Sequence, residues 1–429
     1  MPQKENPDRD ISTLLIPEIG RLEETGDPWR PYCLIDGSGA VVEPVALYFA
    51  DLQAADRSVA TLRSYGMDLL RWWRFLAAVD VPWDRATRLD ARDFTLWMKL
   101  VDKPVRLHWR HREHSAAGVE AFATVSVRPD RGVPNPVTGK PTVGAKYAPA
   151  TRAHCETVLR EFYAFHRDLG TGPILNPFPL DRSRRASRPN AHHNPMDEYR
   201  PERSGRYRPK QTKRAPRRIP DEKFDQLFAE LGSHRDRALL AFYISTGARA
   251  SELLSARQRD ASPGNQTITV IRKGSRAAQA LPASVDAFVW LRLYQAQAHR
   301  AGVPNGRNEP LWWTLRRPWR ELSYHAARGM FQRVNGALGA NWTLHDMRHT
   351  AAYRMAQDPE MQLTHVQRIL GHAWLSTTQR YLNPSEDEVI KSVLAFHARQ
   401  AQRRGLPAEP QPAPGYKPAT LQVLFGEAL

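Results

Sequence analysis

The sequence predicts a mainly α-helical protein with a small β-hairpin, arranged as two domains. Three observations carry this. Apolar residues recur at helical spacing along most of the chain. One segment, QTITVIRKGSRAAQALP, alternates at period two and turns at Gly274. A Pro- and Arg-rich stretch at about 171–218 interrupts both patterns and reads as a linker.

Residues 1–40 contain several Pro and Gly without clear periodicity and read as a loosely structured N-terminal arm. A helical domain is expected over 41–170. Thr61, Leu62, Tyr65, Leu69, Trp72 and Leu76 follow the spacing of one helix face. Phe94, Trp97 and Leu100 mark a second helix, with Asp90 as its expected N-cap. Residues 102–150 would hold a long loop or a hairpin. Thr151 should open a helix buried through Cys155, Val158, Leu159, Phe162 and Phe165 and stopped by Gly170.

A second domain is expected over 219–400. Asp221 and Ser233 are expected to cap its first two helices, and Thr246–Gly247 to end the second. A short helix follows Arg249, then the hairpin. Further helices are predicted at about 283–301, 321–338, 344–357, 363–371 and 386–400. The tail, 401–429, is Pro-rich and ends in the apolar LQVLFGEAL.

Charge narrows the function. Across 429 residues, 62 Lys and Arg stand against 45 Asp and Glu, a net charge of +17. Such a surplus calls for a polyanionic partner, nucleic acid first. An anionic membrane surface fits less well, because no basic amphipathic helix stands out. No apolar run approaches the ~20 residues of a membrane span, and the polar N-terminus MPQKENPDRD has no secretory h-region. Two cysteines, Cys33 and Cys155, make no disulfide framework and fit a reducing cytoplasm. In the linker, Arg182, Arg184, Arg185, Lys210, Lys213, Arg214, Arg217 and Arg218 are candidate contacts to a phosphate backbone, and between Arg182 and Arg218 only Asp197, Glu198 and Glu202 oppose the basic residues.

Four signals in the second domain carry chemistry. STGARASELLSA places Arg249 after a helix break, with Glu252 three residues on. IRKGSR puts Lys273 at the hairpin turn. LHDMRHT sets His345 and Arg348 on one helical face. LGHAWLSTTQRYLNP carries His372 and Tyr381. Singly, each is an ordinary surface or packing residue. Together they are the inventory for phosphoryl transfer without a metal ion or cofactor. Attack on a phosphodiester builds charge on the non-bridging oxygens, which two guanidinium groups can hold as forks. A phenol of pKa ~10 needs cationic surroundings or a base to react at neutral pH.

These motifs, in this order and spacing, resemble those of the tyrosine recombinase (phage integrase) family over about residues 219–400. The resemblance implies a two-domain tyrosine recombinase fold: a helical core-binding domain and a mixed α/β catalytic domain that together clamp double-stranded DNA. It implies that Arg249 and Arg348 hold the scissile phosphate. Lys273 would protonate the 5′-oxygen, and His345 would assist proton transfer. His372 would bond a non-bridging oxygen, at a position where the family accepts His or Trp. Tyr381 would attack, forming a 3′-phosphotyrosine, with Glu252 in a supporting role. It further implies no cofactor or ATP, a tetramer on two duplexes with C-terminal segments exchanged between copies, and accessory DNA-bending or directionality factors. LQVLFGEAL is either such an exchanged segment or a disordered tail. A type IB topoisomerase shares this chemistry but usually has Lys where His345 stands. A non-cleaving DNA-binding relative would be free to lose part of the set. The length, the N-terminal extension and the basic linker favour an integrase or transposase of a mobile element, acting on nucleoid DNA in the cytoplasm.

Overall fold

The computed structural model describes residues 9–103, 132–142, 144–181, 205–209, 218–379, 381–382 and 386–403, with side chains of the last segment described for 390–400. The chain forms two compact units. The first comprises residues up to 213 apart from Pro136–Thr138, and the second comprises those three residues and 214 onward.

The first unit is built on helices α1 (Glu43–Ala54), α2 (Val59–Ala78), α3 (Arg88–Leu100) and α4 (Pro149–Asp168). Ser58 caps α2, its hydroxyl accepting from Thr61 N at 3.2 Å. Trp72 is wholly buried at the centre, with Phe94 and Phe178 edge-on at 5.0 and 5.2 Å. Its indole N–H donates to the Tyr163 hydroxyl at 2.8 Å, which donates in turn to Trp83 O at 2.9 Å. Burying Trp and Tyr requires such partners for their polar ends. Cys155 is buried on α4, where the helical spacing places it.

Several expected boundaries are corrected. The arm anticipated over 1–40 is structured in part. Strands β1 (Arg21–Glu24) and β2 (Tyr32–Ile35) form an antiparallel hairpin, with Leu34 and Ile35 buried. The hairpin lies on α2 because Gly66 leaves room: a Cβ there would stand 2.5 Å from Leu22 Cδ1 and 3.1 Å from Phe49 Cζ. Four-residue strands are too short to show a period in sequence. Asp90 is not the N-cap of α3. Thr87 is, and Asp90, three residues in, accepts from Thr87 N and Oγ1, a capping box. Helix α4 opens at Pro149, where a proline's missing N–H costs nothing. The expected linker begins late, since Phe178 is fully buried, and its residues 205–209 return to the unit. There Arg206 N donates to Pro179 O at 2.9 Å and Tyr207 Oη to Arg88 O at 3.3 Å.

The second unit contains α5 (Asp221–Ala229), α6 (His234–Thr246), α7 (Ala250–Leu254), α8 (Val285–Arg300), α9 (Tyr324–Ala337), α10 (Leu344–Gln357), α11 (Leu363–Leu370), α12 (Leu375–Gln379) and α13 (Glu386–Arg403). A three-stranded antiparallel sheet, in the order β3 (Ala261–Ser262), β4 (Thr267–Ile271), β5 (Ala278–Pro282), carries the predicted hairpin. Helix α6 is buried nearly all round, as a central helix is. Ser233 caps it as expected, accepting from Asp236 N at 3.1 Å, whereas α5 is preceded by Pro220 and Asp221 is its first residue. Gly247 ends α6 in the left-handed conformation at φ +61°, and a Cβ there would lie 2.9 Å from Leu370 Cδ2. That glycine turns the chain towards Arg249 and lets α11 approach.

Candidate active site

The site is assembled around a buried carboxylate. Glu252, 1% exposed, follows Arg249 by one helical turn because Arg249 is the N-cap of α7. Its Oε2 accepts from Arg249 N at 2.9 Å and from Arg272 NH1 at 3.0 Å. Its Oε1 accepts from Arg249 NH1 at 2.8 Å and from Lys273 N at 3.1 Å. Burial alone would push this carboxyl up, but the donated hydrogen bonds from Arg249 and Lys273 and the charge of Arg272 hold it below its ordinary value.

Arg348, on α10, is 3% exposed. Its NH1 donates to Gly247 O at 2.8 Å and its NH2 to Leu370 O at 2.6 Å, with His372 Nε2 at 3.2 Å from the same NH2. Burial, then the charge of Arg249, pulls its pKa down to about 10, while Glu252 and Tyr381 act the other way. The guanidinium stays charged at neutral pH. It lies where positive charge is under-compensated, a setting that an arriving anion would relieve.

His372 follows Gly371, which ends α11 at φ +63°. Its Nδ1 lies 2.9 Å from Thr378 Oγ1, and its backbone is tied to Gln367 from both sides. Tyr381 is 3% exposed and packs with Val366 and Leu370. Its ring lies nearly parallel to that of His372, the centroids 6.3 Å apart. Its hydroxyl is 2.8 Å from His349 Nδ1. The ring of His345 meets that of His349 edge-on at 4.3 Å, and His345 itself is exposed.

The expected residues thus come together from five places in the chain. Arg249, Arg348, His372 and Tyr381 converge with Glu252, and Lys273 joins through its backbone while its side chain is exposed. Arranged this way, the groups can bind a phosphate through guanidinium and imidazole donors and present a phenol to it.

The family model described as the phage integrase family matches residues 217–388, and that of the phage integrase N-terminal SAM-like domain matches 45–103. The chain belongs to the phage integrase family. Among curated proteins, it is 30% identical over 200 residues to the tyrosine recombinase XerC of Bacillus licheniformis, covering 44% of this chain and 64% of the relative. It is 32% identical over 177 residues to the XerC of Rhodospirillum centenum, covering 40% and 48%. The chain therefore spans about half to two thirds of the length of these relatives. The Tn1549 transposon integrase, solved in complex with transposon right end DNA, has a similar fold, with a TM-score of 0.50 at 15% identity over 83% of this chain and 99% of that one.

For this integrase-family chain, two residues of the site escaped the sequence reading. His349 received no role in the chemistry read from sequence, yet it is the imidazole at the Tyr381 hydroxyl. Arg272 had not been singled out. Its signal was present in the strand: Ile268 and Val270 are buried, and Arg272 falls on the same face by alternation, so a charged residue points inward. Of the linker candidates, Arg218 is described and lies over the Tyr353 ring at 4.3 Å. Arg182, Arg184, Arg185, Lys210, Lys213, Arg214 and Arg217 lie outside the described residues, as does LQVLFGEAL.

Proposed function

We propose that this chain is a site-specific DNA recombinase that cuts and rejoins strands through a covalent 3′-phosphotyrosine at Tyr381, for integration, excision or transposition of a mobile element. The observation that carries the reading is the Tyr381 hydroxyl held 2.8 Å from an imidazole, in the same site as the Arg348–His372 pair and Arg249. The Tyr381 oxygen forms a bond to phosphorus, its proton passing to the His345–His349 pair. Arg249, Arg348 and His372 take up the charge on the non-bridging oxygens. The bond to the 5′-oxygen breaks, and Lys273 supplies that oxygen with a proton. The phosphotyrosine conserves the bond energy, so rejoining needs no nucleotide cofactor.

In the structure Arg348 bonds two backbone carbonyls and His372, and Tyr381 is buried. DNA binding must therefore exchange some of these contacts for contacts to phosphate. A net charge of +17 and the DNA-bound state of the related transposon integrase support duplex DNA as the partner. The basic linker would follow its backbone. Helix α13 exposes Ile390, Val393, Leu394 and Phe396 along one side, each close to half exposed or more. That stripe supports packing against a second copy within a tetramer on two duplexes, with accessory factors setting direction. No described helix is long and apolar enough to cross a membrane, and the substrate places the enzyme with nucleoid DNA.

The test is trapping on a nicked suicide duplex carrying a site from DNA flanking the gene, comparing wild type with Tyr381→Phe. The expected result is an SDS-resistant protein–DNA adduct that the substitution abolishes while DNA binding persists. An adduct that survives Tyr381→Phe would assign the nucleophile elsewhere. Tight binding without any adduct would make the chain a non-cleaving DNA-binding protein. Relaxation of supercoiled DNA by a lone copy would favour the topoisomerase alternative.

A further inference from the structure

We propose that Arg272 is a positioning residue that holds the Lys273 hairpin and the His372 loop in one frame. The inference rests on the phosphotyrosine reading above and adds a residue to it. Arg272 follows β4 immediately and is 5% exposed. Its guanidinium ties three elements together. NH1 donates to Glu252 Oε2 on α7 at 3.0 Å, and Nε donates to Gln279 Oε1 on β5 at 2.7 Å. NH2 donates to Ile369 O in the last turn of α11.

That last turn is where the ties meet. A helix C-terminus leaves its final carbonyls without helical partners and favours cations beside them. Here Arg368 O accepts from Gln279 Nε2 at 3.0 Å, Ile369 O from Arg272, and Leu370 O from Arg348 NH2 at 2.6 Å. Two of these three consecutive carbonyls are thus held by the hairpin and the third by α10. Gly371 comes next, and a Cβ there would lie 3.3 Å from Arg272 Nε, so the loop rests directly on the guanidinium. His372 follows. At the other end, Lys273 is the next residue after Arg272, and its N–H shares the Glu252 carboxylate with Arg272 and Arg249. One buried side chain therefore connects the backbone carrying the proton donor to the backbone carrying the phosphate-binding imidazole. A lysine at this position, with a single ammonium in place of a planar fork, cannot reproduce three divergent ties.

The share of the consequence that falls on Lys273 can be read at the leaving-group step. If the hairpin loses its frame, Lys273 no longer meets the 5′-oxygen, and misplacement by about 1 Å can cost on the order of 10²-fold in rate. A substrate with a bridging 5′-sulfur removes that need, because a thiol of pKa about 8.5 leaves as thiolate without a proton. In that substrate the Tyr381 oxygen bonds to phosphorus, the P–S bond breaks, and the electron pair stays on sulfur.

The experiment measures single-turnover adduct formation by the full chain on oxygen- and sulfur-bridged suicide duplexes, for wild type, Arg272→Met and Arg272→Lys, alongside DNA affinity and melting temperature. We expect both variants to lose on the order of 10²-fold with the oxygen substrate, to bind DNA like wild type, and to regain with sulfur the part of the loss that falls on Lys273. Should Arg272→Met fail to fold, Gln279→Leu keeps the buried Arg272–Glu252 pair but cuts the tie to Arg368, and should show a smaller loss with the same sulfur rescue. Equal losses on both substrates would mean that Arg272 does not hold the Lys273 hairpin in a shared frame, and unchanged cleavage would mean that it positions nothing. Either result overturns the proposal. A wild type that forms no adduct on either substrate overturns the phosphotyrosine reading itself.

Discussion

Glu252→Gln is the substitution whose cost the structure defines best. The carboxylate is 1% exposed and paired with Arg272, itself 5% exposed, at 3.0 Å. Making the side chain neutral leaves that guanidinium buried without its counter-charge. It also turns an amide N–H₂ towards donors from Arg249, Lys273 or Arg272. Removing one partner of a buried pair costs about 3–5 kcal/mol. In a unit of this size each kcal/mol lowers the melting temperature by about 2–4 °C, so the expected fall is roughly 10 °C. The assay is thermal unfolding of the full chain followed by circular dichroism. Adding Arg272→Met should restore much of the loss, because replacing both partners of a buried pair is often near neutral. The pH dependence has a definite sign. Glu252 is held below its ordinary value of 4.5, so its contribution is fully present above that value and fades as pH falls through the lower folded value. The gap between wild type and variant should therefore narrow only on the acid side, below about pH 4.5. A variant melting within about 2 °C of wild type, the effect of a surface ion pair, would refute the buried-pair account.

Two further substitutions test other parts of the frame. Gly247→Ala places a Cβ at φ +61° and 2.9 Å from Leu370 Cδ2. It should cost roughly 2 kcal/mol in urea unfolding, and an unchanged midpoint would show that α11 does not need the close approach. Tyr163→Phe leaves the buried Trp72 N–H and Trp83 O without their shared hydroxyl. The expected loss is about 1–3 kcal/mol, read as a lower urea midpoint at an unchanged slope.

Sequence alone determined the helical class, the hairpin at Gly274, the helices over 344–357 and 363–370 to within a residue, and four positions that converge in the structure. Each of these depends on local rules. Helical faces repeat at fixed spacing, glycine alone turns readily at positive φ, and Ser233 and Thr343 cap through their own hydroxyls. The order and spacing of Arg249, Lys273, His345, Arg348, His372 and Tyr381 can also be read in one dimension, because each motif is a short contiguous run of residues.

Tertiary structure decided the rest. Whether His345 or His349 meets the Tyr381 hydroxyl depends on how α10 rotates against the segment carrying Tyr381, and a sequence with two histidines one turn apart does not say. Arg272 acquires its partners from α7, β5 and α11, up to 97 residues away, so its importance is invisible until those elements pack. The hairpin at 21–35 is stable only because Gly66 leaves space for it on α2, a contact between segments that share no local pattern. The burial of Tyr381 follows from Val366 and Leu370 closing over its ring. Local propensity sets which elements form, but a buried charge finds its counter-charge, and a buried phenol its imidazole, only through long-range packing.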